Sequence, residues 1–393
     1  MIFKAVISSK TEPELGQATI PFPIPNSEYD HTIGLLEDMG VGSPTAQDCR
    51  VDEVDSTYPI LNRLVAQSVN VDELDFVGAS FISLAFAFGE SSLISLLLLP
   101  KSKPLRWVSI WLPLKRLDSF CQDENEKFQA MASKLNLSNI KDFINLTFCC
   151  QQATVITDFS DLEQVGKGHA LTVNGGSMPM EEFDKVDGQA VALDLIQSGA
   201  GVVTPYGVVY DNGMKLEQLY DGRHFPAYLY QMPELMIEIK SGEDGEATGY
   251  LYLPSSDRQI QRTLMRAGSG SEGFRMEIAM DELPPQVSNM VSPTRDGLDD
   301  LNALCRAVEP LSAEERKKLE AVVLMTRAES ASEVRQLAGN LEQFDFVPKP
   351  NRPEADSALT ELGYVAYHGS LTLEELMMED PAEQQQQEMG GMA

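Results

Sequence analysis

Alternating apolar and polar positions near the start of the chain predict short, half-buried β-strands. Asn26 or Ser27 can cap a helix after the second strand, and Gly40 is placed to end it. The predicted elements are strands at residues 3–9 and 17–22, a helix at residues 26–39 and a strand at residues 49–54. This order predicts a small β-β-α-β module, whose single helix can cover only one face of the sheet.

The same order of patterns recurs after residue 230. Ser256 and Gln259 have the spacing of a capping box, and Gly268 is placed to end the helix that they begin. The predicted elements are strands at residues 235–240 and 249–254, a helix at residues 256–268 and a strand at residues 274–278. Residues 249–254 (GYLYLP) are matched to residues 16–21 (GQATIP), so a second β-β-α-β module is predicted.

An acidic segment with helical spacing follows each module. Residues 298–319 (LDDLNALCRAVEPLSAEERKKL) form the uninterrupted copy, and the first copy is divided between VDELD at residues 71–75 and KRLDSFCQDENEKF at residues 115–128. Short helices are predicted after both copies, at residues 138–148 and 332–344. Each half of the chain is therefore predicted to contain a cluster of three or four short helices with acidic outer faces.

The segment that divides the first copy, residues 76–114, differs in composition from the rest of the chain. It contains Glu90 as its one acidic residue and both tryptophans, Trp107 and Trp111. A buried hairpin, a membrane span at residues 76–99 and an apolar insertion all fit this composition. We favour the insertion, because the flanking acidic helix matches its second copy once the segment is left out. A membrane location is not expected.

A strand, a tight turn and the start of a helix are predicted twice, at residues 207–219 and 363–376. A helix at residues 180–196 is predicted before the first of these. The predicted organisation is a first β-β-α-β module at 1–58, a first acidic helical cluster at 59–158 (interrupted at 76–114), a linker with the strand-turn-helix module at 159–230, a second β-β-α-β module at 231–290, a second acidic helical cluster at 291–348, a short linker with a strand-turn-helix module at 349–380, and a disordered tail at 381–393. The predicted fold class is α+β, in tandem units.

The charge of the chain bears on its function. The 393 residues include 60 aspartates and glutamates and 30 lysines and arginines, for a net charge of −30. Both halves share this excess, which repels nucleic acid and attracts basic surfaces. The start of the chain has strand-like alternation in place of a signal peptide, and the cysteines have neither disulfide nor metal-site spacing, so a reducing cytoplasm is expected.

Motifs for catalysis are missing from the sequence. The four histidines, His31, His169, His224 and His368, are isolated, and there is no phosphate-binding glycine loop or nucleophile motif. Paired carboxylates are frequent, but without a predicted cleft they are interpreted as solvated faces. The sequence therefore predicts a protein that is not an enzyme and needs no metal or cofactor.

The NVDELD and KRLDSF segments, when rejoined, together with KDFINLT at residues 141–147, resemble ArdA-type antirestriction proteins of mobile genetic elements such as conjugative transposons. The resemblance covers most of residues 1–230 and recurs more faintly over 231–393. It implies elongated, acidic homodimers that mimic bent B-form DNA and occupy the DNA groove of type I restriction-modification enzymes. The chain departs from the family in carrying two family-like units, which suggests either a homodimer or an internal pseudo-dimer.

A DNA mimic must present carboxylates at intervals similar to those of phosphates. Duplex DNA carries one charge per about 1.7 Å, so 30 net charges correspond to about 50 Å of duplex. The candidate carboxylates of the partner-binding surface are Asp72, Glu73, Asp75, Asp118, Asp123, Glu124, Glu126, Asp299, Asp300, Glu309, Glu314 and Glu315. Direct binding of nucleic acid is not expected. The alternative is an acidic accessory protein of a mobile element, in which these residues form only solvated helix faces.

Overall fold

The computed structural model describes residues 1–86, 124–227, 233–240, 245, 247–268, 274–348 and 362–378. The chain divides into two compact units, Met1–Tyr230 (unit 1) and Gln231–Ala393 (unit 2). Both units combine helices with small antiparallel sheets, so the α+β class is confirmed. The tail predicted to be disordered lies outside the described residues.

Unit 1 begins with a four-stranded antiparallel sheet in the order β2-β1-β3-β4. Alternate side chains of the central strand, Phe3, Ala5 and Ile7, are buried, because successive residues of a strand face opposite sides of the sheet. The elements are β1 (Phe3–Ser9), β2 (Gln17–Phe22), α1 (Tyr29–Asp38), β3 (Cys49–Ser56) and β4 (Ser68–Val69). The first two strands are confirmed at the predicted residues, and the third extends two residues further.

Helix α2 (Val71–Phe86) corrects the predicted position of the insertion. It continues without a break through Phe76, and Phe76, Val77 and Phe81 are all buried in the core of unit 1. A Cβ at Gly78 would lie 2.6 Å from the backbone nitrogen of Pro23, so only glycine allows this helix to lie so close to the end of β2. These apolar residues therefore belong to the fold; residues 87–114 lie outside the described ranges.

The remaining elements of unit 1 differ from the prediction in three places. They are α3 (Glu124–Lys134), α4 (Ile140–Thr147), β5 (Thr154–Ile156), α5 (Leu162–Val173), α6 (Met180–Phe183), α7 (Gly188–Gln197), β6 (Val202–Thr204) and β7 (Gly207–Tyr210). The helix predicted at residues 180–196 is two helices, because Asp187 caps a new one by accepting from the backbone nitrogen of Ala190 (3.0 Å). Residues 215–219 are not helical, and α5 was not predicted.

Unit 2 begins with a three-stranded antiparallel sheet in the order β10-β8-β9. Its first elements are β8 (Leu235–Lys240), β9 (Ala247–Leu253), α8 (Asp257–Ala267) and β10 (Arg275–Asp281). The capping box of Ser256 and Gln259 and the left-handed Gly268 at the helix end are confirmed. The sequence match between the two modules is shifted by two residues. Leu253 pairs with Leu235 as Phe22 pairs with Phe3, so Leu253 corresponds to Phe22 and not to Ile20.

The helical part of unit 2 packs around a core of its own. Its elements are α9 (Pro285–Ser288), α10 (Leu298–Val308), α11 (Ala313–Thr326), α12 (Ala331–Gly339), β11 (Phe344–Pro348), β12 (Gly363–Tyr367) and α13 (Leu373–Met377). The segment 298–319 is thus two helices, because Ser312 and Glu315 form a capping box that begins α11. Phe344 begins a strand, so the helix predicted at 332–344 is shorter. The predicted strand and helix at 363–376 are confirmed.

Within the described ranges, no helix combines the length and the apolar character needed to cross a membrane. The predicted candidate span, residues 76–99, falls partly outside those ranges.

Candidate acidic interface

Glu73, the first glutamate of the DELD segment, is buried and not on the surface. Its side chain has no exposed area, and it accepts hydrogen bonds from the Tyr220 hydroxyl (2.9 Å), the Asn70 backbone nitrogen (2.8 Å) and Gln47 Nε2 (3.1 Å). Such a carboxylate holds three segments of unit 1 together. The prediction that Glu73 belongs to a partner-binding surface is wrong, because a side chain without exposed area cannot meet a partner.

Asp72 and Asp75 are half-buried, and each accepts a hydrogen bond within unit 1. An Asp75 oxygen accepts from the backbone nitrogen of Ile24 (2.6 Å), just after β2, and Asp72 accepts from the Tyr29 hydroxyl (3.4 Å). In unit 2, Asn302 holds the segment after β9 in the same way: its Oδ1 accepts from the backbone nitrogen of Ser255 (2.9 Å). In each unit a side-chain oxygen thus accepts from the backbone just after a strand, and in unit 2 that oxygen belongs to an uncharged amide.

We expect Asp75→Asn to change the free energy of unfolding by less than about 1 kcal/mol, because its amide oxygen can still accept from Ile24, as Asn302 does in unit 2. Asp75→Ala leaves that nitrogen without its partner, at a cost of about 1.5–3 kcal/mol. Urea unfolding followed by circular dichroism measures both changes. Equal losses for the two variants would show that the charge at this position matters.

The other candidate carboxylates of the first copy differ in exposure. Glu124 is half-buried and Glu126 is exposed, both on α3. Asp118 and Asp123 lie outside the described residues.

In unit 2 the candidate carboxylates stand at the ends of α10 and at the start of α11. Asp299, Glu309 and Glu314 are exposed, and Asp300 is half-buried. Glu315 is also exposed, but it accepts from the hydroxyl (2.7 Å) and the backbone nitrogen (2.9 Å) of Ser312, and these hydrogen bonds lower its pKa. Asp299, Glu309 and Glu314 are therefore the members of the predicted set most available to a partner in this unit.

Several basic side chains are directed into the protein. Lys127 is only 5% exposed, and its ammonium group donates to the Gln151 carbonyl (3.2 Å) and the Thr172 hydroxyl (3.1 Å). Arg262 and Arg266 of α8 are also buried. These three bases are therefore not among the charges that the surface presents.

Other bases are held in ion pairs with acidic residues. Arg316 forms a two-pronged pair with Glu234, and one of its two contacts is 2.8 Å. The partly buried Lys134 pairs with Asp211. The first pair lies within unit 2 and the second within unit 1. In each unit the remaining carboxylates still outnumber the remaining bases.

Carboxylates outnumber bases on the described surface of each unit. In unit 1 the exposed bases are Lys4, Lys10, Arg50, Lys185, Lys215 and Arg223, and the exposed acids are Glu12, Glu14, Glu28, Asp30, Glu37, Asp38, Glu53, Asp55, Glu126, Asp158, Asp161, Glu163, Glu181, Glu182, Asp184, Asp187, Asp194, Glu217 and Asp221. In unit 2 the exposed bases are Arg275, Arg295, Arg306 and Arg327, and the exposed acids are Asp257, Glu282, Asp299, Glu309, Glu314, Glu315, Glu329, Glu342, Asp345, Glu374 and Glu375. Most of these acids were not singled out from the sequence, although α6 and α7 were recognisable as helical sequence.

In the part of the chain that the structure describes, the side chains that could serve as metal ligands are scattered. Across the described ranges, no three histidine, cysteine, aspartate or glutamate side chains are placed to hold a metal ion. Burial, with a smaller contribution from Asp48, raises the pKa of Cys49 to about 12, and burial also raises the pKa values of Cys149, Cys150 and Cys305. Thiols in this state react poorly, because the thiolate is the nucleophile.

We expect a Cys121→Ser variant of the full chain to show no rapidly reacting thiol with an aromatic disulfide reagent at neutral pH. After unfolding in urea, the four remaining thiols should react. Absorbance of the released thiolate measures both states. A thiol that reacts quickly in the folded variant would contradict the burial of these four side chains.

No protein-family model, no curated protein and no solved structure matches the chain. The features that carry a functional argument are therefore those of the chain itself: a strongly acidic surface, bases held inside, and a DELD segment that serves the fold.

Proposed function

We propose that this protein is a DNA-mimic antirestriction protein of the ArdA type, which occupies the DNA-binding groove of a type I restriction-modification enzyme. It would act in the cytoplasm by binding a protein partner, without catalysis and without a cofactor. The observation that carries the proposal is where the charged side chains lie. Several bases are buried or paired with acids, while carboxylates outnumber bases among the exposed charged residues of both units. A surface of that kind attracts a basic groove.

Each unit is proposed to present acidic residues of its own to the partner: Asp299, Glu309 and Glu314 in unit 2, and Glu126 in unit 1, with Glu73 excluded because it is buried. Carboxylates in water remain charged and surrounded by counterions, and both features resemble phosphates. When a basic groove binds them, those counterions are released, which favours association at low salt.

We further propose that the chain consists of two tandem family-like units, each with a β-β-α-β module and an acidic helical cluster, while the strand-turn-helix module is confined to unit 2. The equivalent pairing of β1 with β2 and of β8 with β9 supports this proposal, as does the shared role of Asp75 and Asn302. Two units in one chain could act as an internal pseudo-dimer, or the chain could form a homodimer.

The alternative function is that of an acidic accessory protein of a mobile element, without DNA mimicry. One observation favours it: exposed carboxylates also occur on elements outside the helical clusters, such as Glu53 and Asp55 on β3. Acidity distributed over many elements serves solubility without a specific partner.

Binding to a type I methyltransferase at several salt concentrations tests the proposal. A mimic that replaces several phosphates should lose at least about 100-fold in affinity between 50 and 200 mM salt. Labelled protein titrated with the methyltransferase, followed by fluorescence anisotropy, gives this dependence. The accessory function predicts no binding at 50 mM salt, and an affinity that does not change with salt would also contradict mimicry.

A further inference from the structure

A polar contact ties helix α5 to the sheet of unit 1. The ring nitrogen Nδ1 of His169 on α5 lies 2.8 Å from the Thr154 hydroxyl on β5. The buried Leu171 of α5 packs with Phe183 of α6, in a small cluster apart from the main core of unit 1. This apolar side chain thus packs outside that core, and α5 relies on polar contacts to stay against the sheet.

The hydrogen bonds around Thr154 decide which nitrogen of His169 carries a proton. Asn212 Nδ2 donates to the Gln152 carbonyl (2.9 Å) and to the Thr154 hydroxyl (2.9 Å). The hydroxyl therefore accepts from Asn212 and has its own proton to donate to His169 Nδ1. A neutral imidazole has one accepting nitrogen, whereas in the imidazolium both nitrogens donate. A proton on Nδ1 would thus leave the Thr154 proton without this acceptor, in a site where Thr154 is only 1% exposed.

The surroundings of His169 also oppose a positive charge on its ring. The buried ammonium group of Lys127 donates to the Thr172 hydroxyl (3.1 Å), three positions after His169 on α5. Burial, together with the charge of Lys127, lowers the pKa of His169. On α5 itself, Glu163 and Lys167 pair with each other (2.7 Å). The other titratable side chains on the elements that pack against α5 are Glu124, Glu126 and Lys134 of α3, Cys150 of the turn before β5, Glu181 and Glu182 of α6, and Asp194 of α7.

We propose that His169 is an acid-sensitive contact, which holds α5 against β5 while its ring is uncharged and releases α5 when the ring takes up a proton. In an open state, in which the ring meets water, the pKa of a histidine has its ordinary value of about 6.5. A group that binds protons more readily in the open state favours that state as the pH falls. The contact is therefore complete above about pH 6.5 and weakens below it.

Helix α7 is expected to move with α5. The two helices meet at Gly166 and Gly188, where a Cβ on Gly166 would collide with the carbonyl oxygen of Gly188. Backbones packed this closely transmit a displacement from one helix to the other. The exposed acids on and between these helices are Asp161, Glu163, Glu181, Glu182, Asp184, Asp187 and Asp194. Protonation of one half-buried ring would thus reposition a block of carboxylates.

A pH titration of isotope-labelled histidines by nuclear magnetic resonance tests the protonation state in the full chain. His169→Asn identifies the signal of His169, since that signal is missing from the spectrum of the variant. We expect a neutral ring with its proton on Nε2 at neutral pH, and a titration midpoint below about 6.5. A charged ring at neutral pH, or a midpoint at or above that value, would overturn the inference.

Hydrogen exchange of the full chain, followed by mass spectrometry at about pH 7.5 and about pH 5, tests the release of α5. Rates are compared as protection factors, which removes the direct effect of pH on the exchange chemistry. Protection of α5 and α7 should fall about fivefold or more in acid, the effect of about one hydrogen bond. His169→Asn keeps an uncharged acceptor for the Thr154 hydroxyl, so its protection there should be the same at both pH values.

His31→Asn on α1 is the matched control, since it removes an exposed helical histidine elsewhere in unit 1 and should keep the acid response of the parent chain. Helix α12 of unit 2 is the internal reference, whose protection should respond to acid equally in all three chains. No loss of α5 protection in the parent chain, or an equal loss in His169→Asn, would contradict the inference.

Should His169→Asn fail to fold, the signal of His169 is the one that persists when His31, His224 and His368 are each replaced by asparagine, and its titration decides. The inference does not rest on the proposed function. None of these measurements involves a methyltransferase, so the two proposals can fail separately.

Discussion

Replacement of Glu73 by alanine is expected to lower the free energy of unfolding by about 3–5 kcal/mol. The reason is that the Tyr220 hydroxyl, the Asn70 backbone nitrogen and Gln47 Nε2 all donate to this fully buried carboxylate. Without it, the Tyr220 hydroxyl and the Asn70 backbone nitrogen lose this acceptor in the interior, whereas the exposed Gln47 side chain can turn to water. Urea unfolding of the full chain, followed by circular dichroism, should show a large loss in the transition of unit 1.

Two further variants serve as comparisons for the loss of stability in Glu73→Ala. Tyr220→Phe removes one of the three donors and should cost about 1.5–3 kcal/mol, the usual value for a hydrogen bond to a charged group. Glu53→Ala, at an exposed position on β3, should change stability by no more than about 0.5 kcal/mol. If Glu73→Ala is as mild as Glu53→Ala, the carboxylate is not the buried centre described here, and Glu73 returns to the set of surface candidates.

Neutralisation of three exposed carboxylates in unit 2 is expected to weaken binding to a type I methyltransferase by about tenfold or more at low salt. The variant is Asp299→Asn, Glu309→Gln and Glu314→Gln, which keeps the size of each side chain. These side chains are exposed at the ends of α10 and at the start of α11, so their removal should leave the fold intact. Fluorescence anisotropy gives the affinity, and a thermal melt verifies that the variant folds.

A matched variant separates position from total charge. Glu329→Gln, Glu342→Gln and Glu374→Gln remove the same number of exposed charges from the same unit, outside the predicted set. A defined surface predicts that this second variant loses much less affinity than the first. Equal losses would show that net charge alone attracts the partner, and no loss in either variant would remove unit 2 from the interface.

Local signals in the sequence predicted much of the fold. The capping box of Ser256 and Gln259, the glycine that ends α8 and the alternation in β1 and β8 are decided by residues a few positions apart, and the structure agrees with them. Helix boundaries were less accurate where a cap lies inside an apparently continuous pattern. Ser312 begins a new helix two residues after Pro310, which cannot continue the preceding one.

The candidate site was predicted less well, because residues far away in the sequence decide whether each of its carboxylates is buried or exposed. Tyr220 is far from Glu73 in the sequence, and no spacing rule connects them. One signal was available: Asn302 stands where the first copy has Asp75, so that position tolerates the loss of charge. Likewise, Phe76 and Phe81 resembled part of an insertion because a helix buried on several sides is as apolar as a foreign segment.

Residues 215–219 illustrate the same limit. Their pattern predicts a helix, but the segment ends at Tyr220, whose backbone nitrogen donates to Asn145 Oδ1 (2.7 Å) and whose carbonyl accepts from Asn145 Nδ2 (3.1 Å). This pairing with α4, together with the Glu73 hydrogen bond, holds Tyr220 in the core of unit 1. Tertiary contacts outweigh helix propensity here, and sequence periodicity alone does not contain them.

Displacement of DNA tests DNA mimicry most directly. A labelled duplex bound to a type I methyltransferase at 50 mM salt is titrated with the full chain, and the anisotropy of the duplex is followed. The proposed mimicry predicts complete release of the duplex, with the Asp299, Glu309 and Glu314 variant needing a higher concentration than the matched variant. A duplex that stays bound at every concentration of the protein would contradict it.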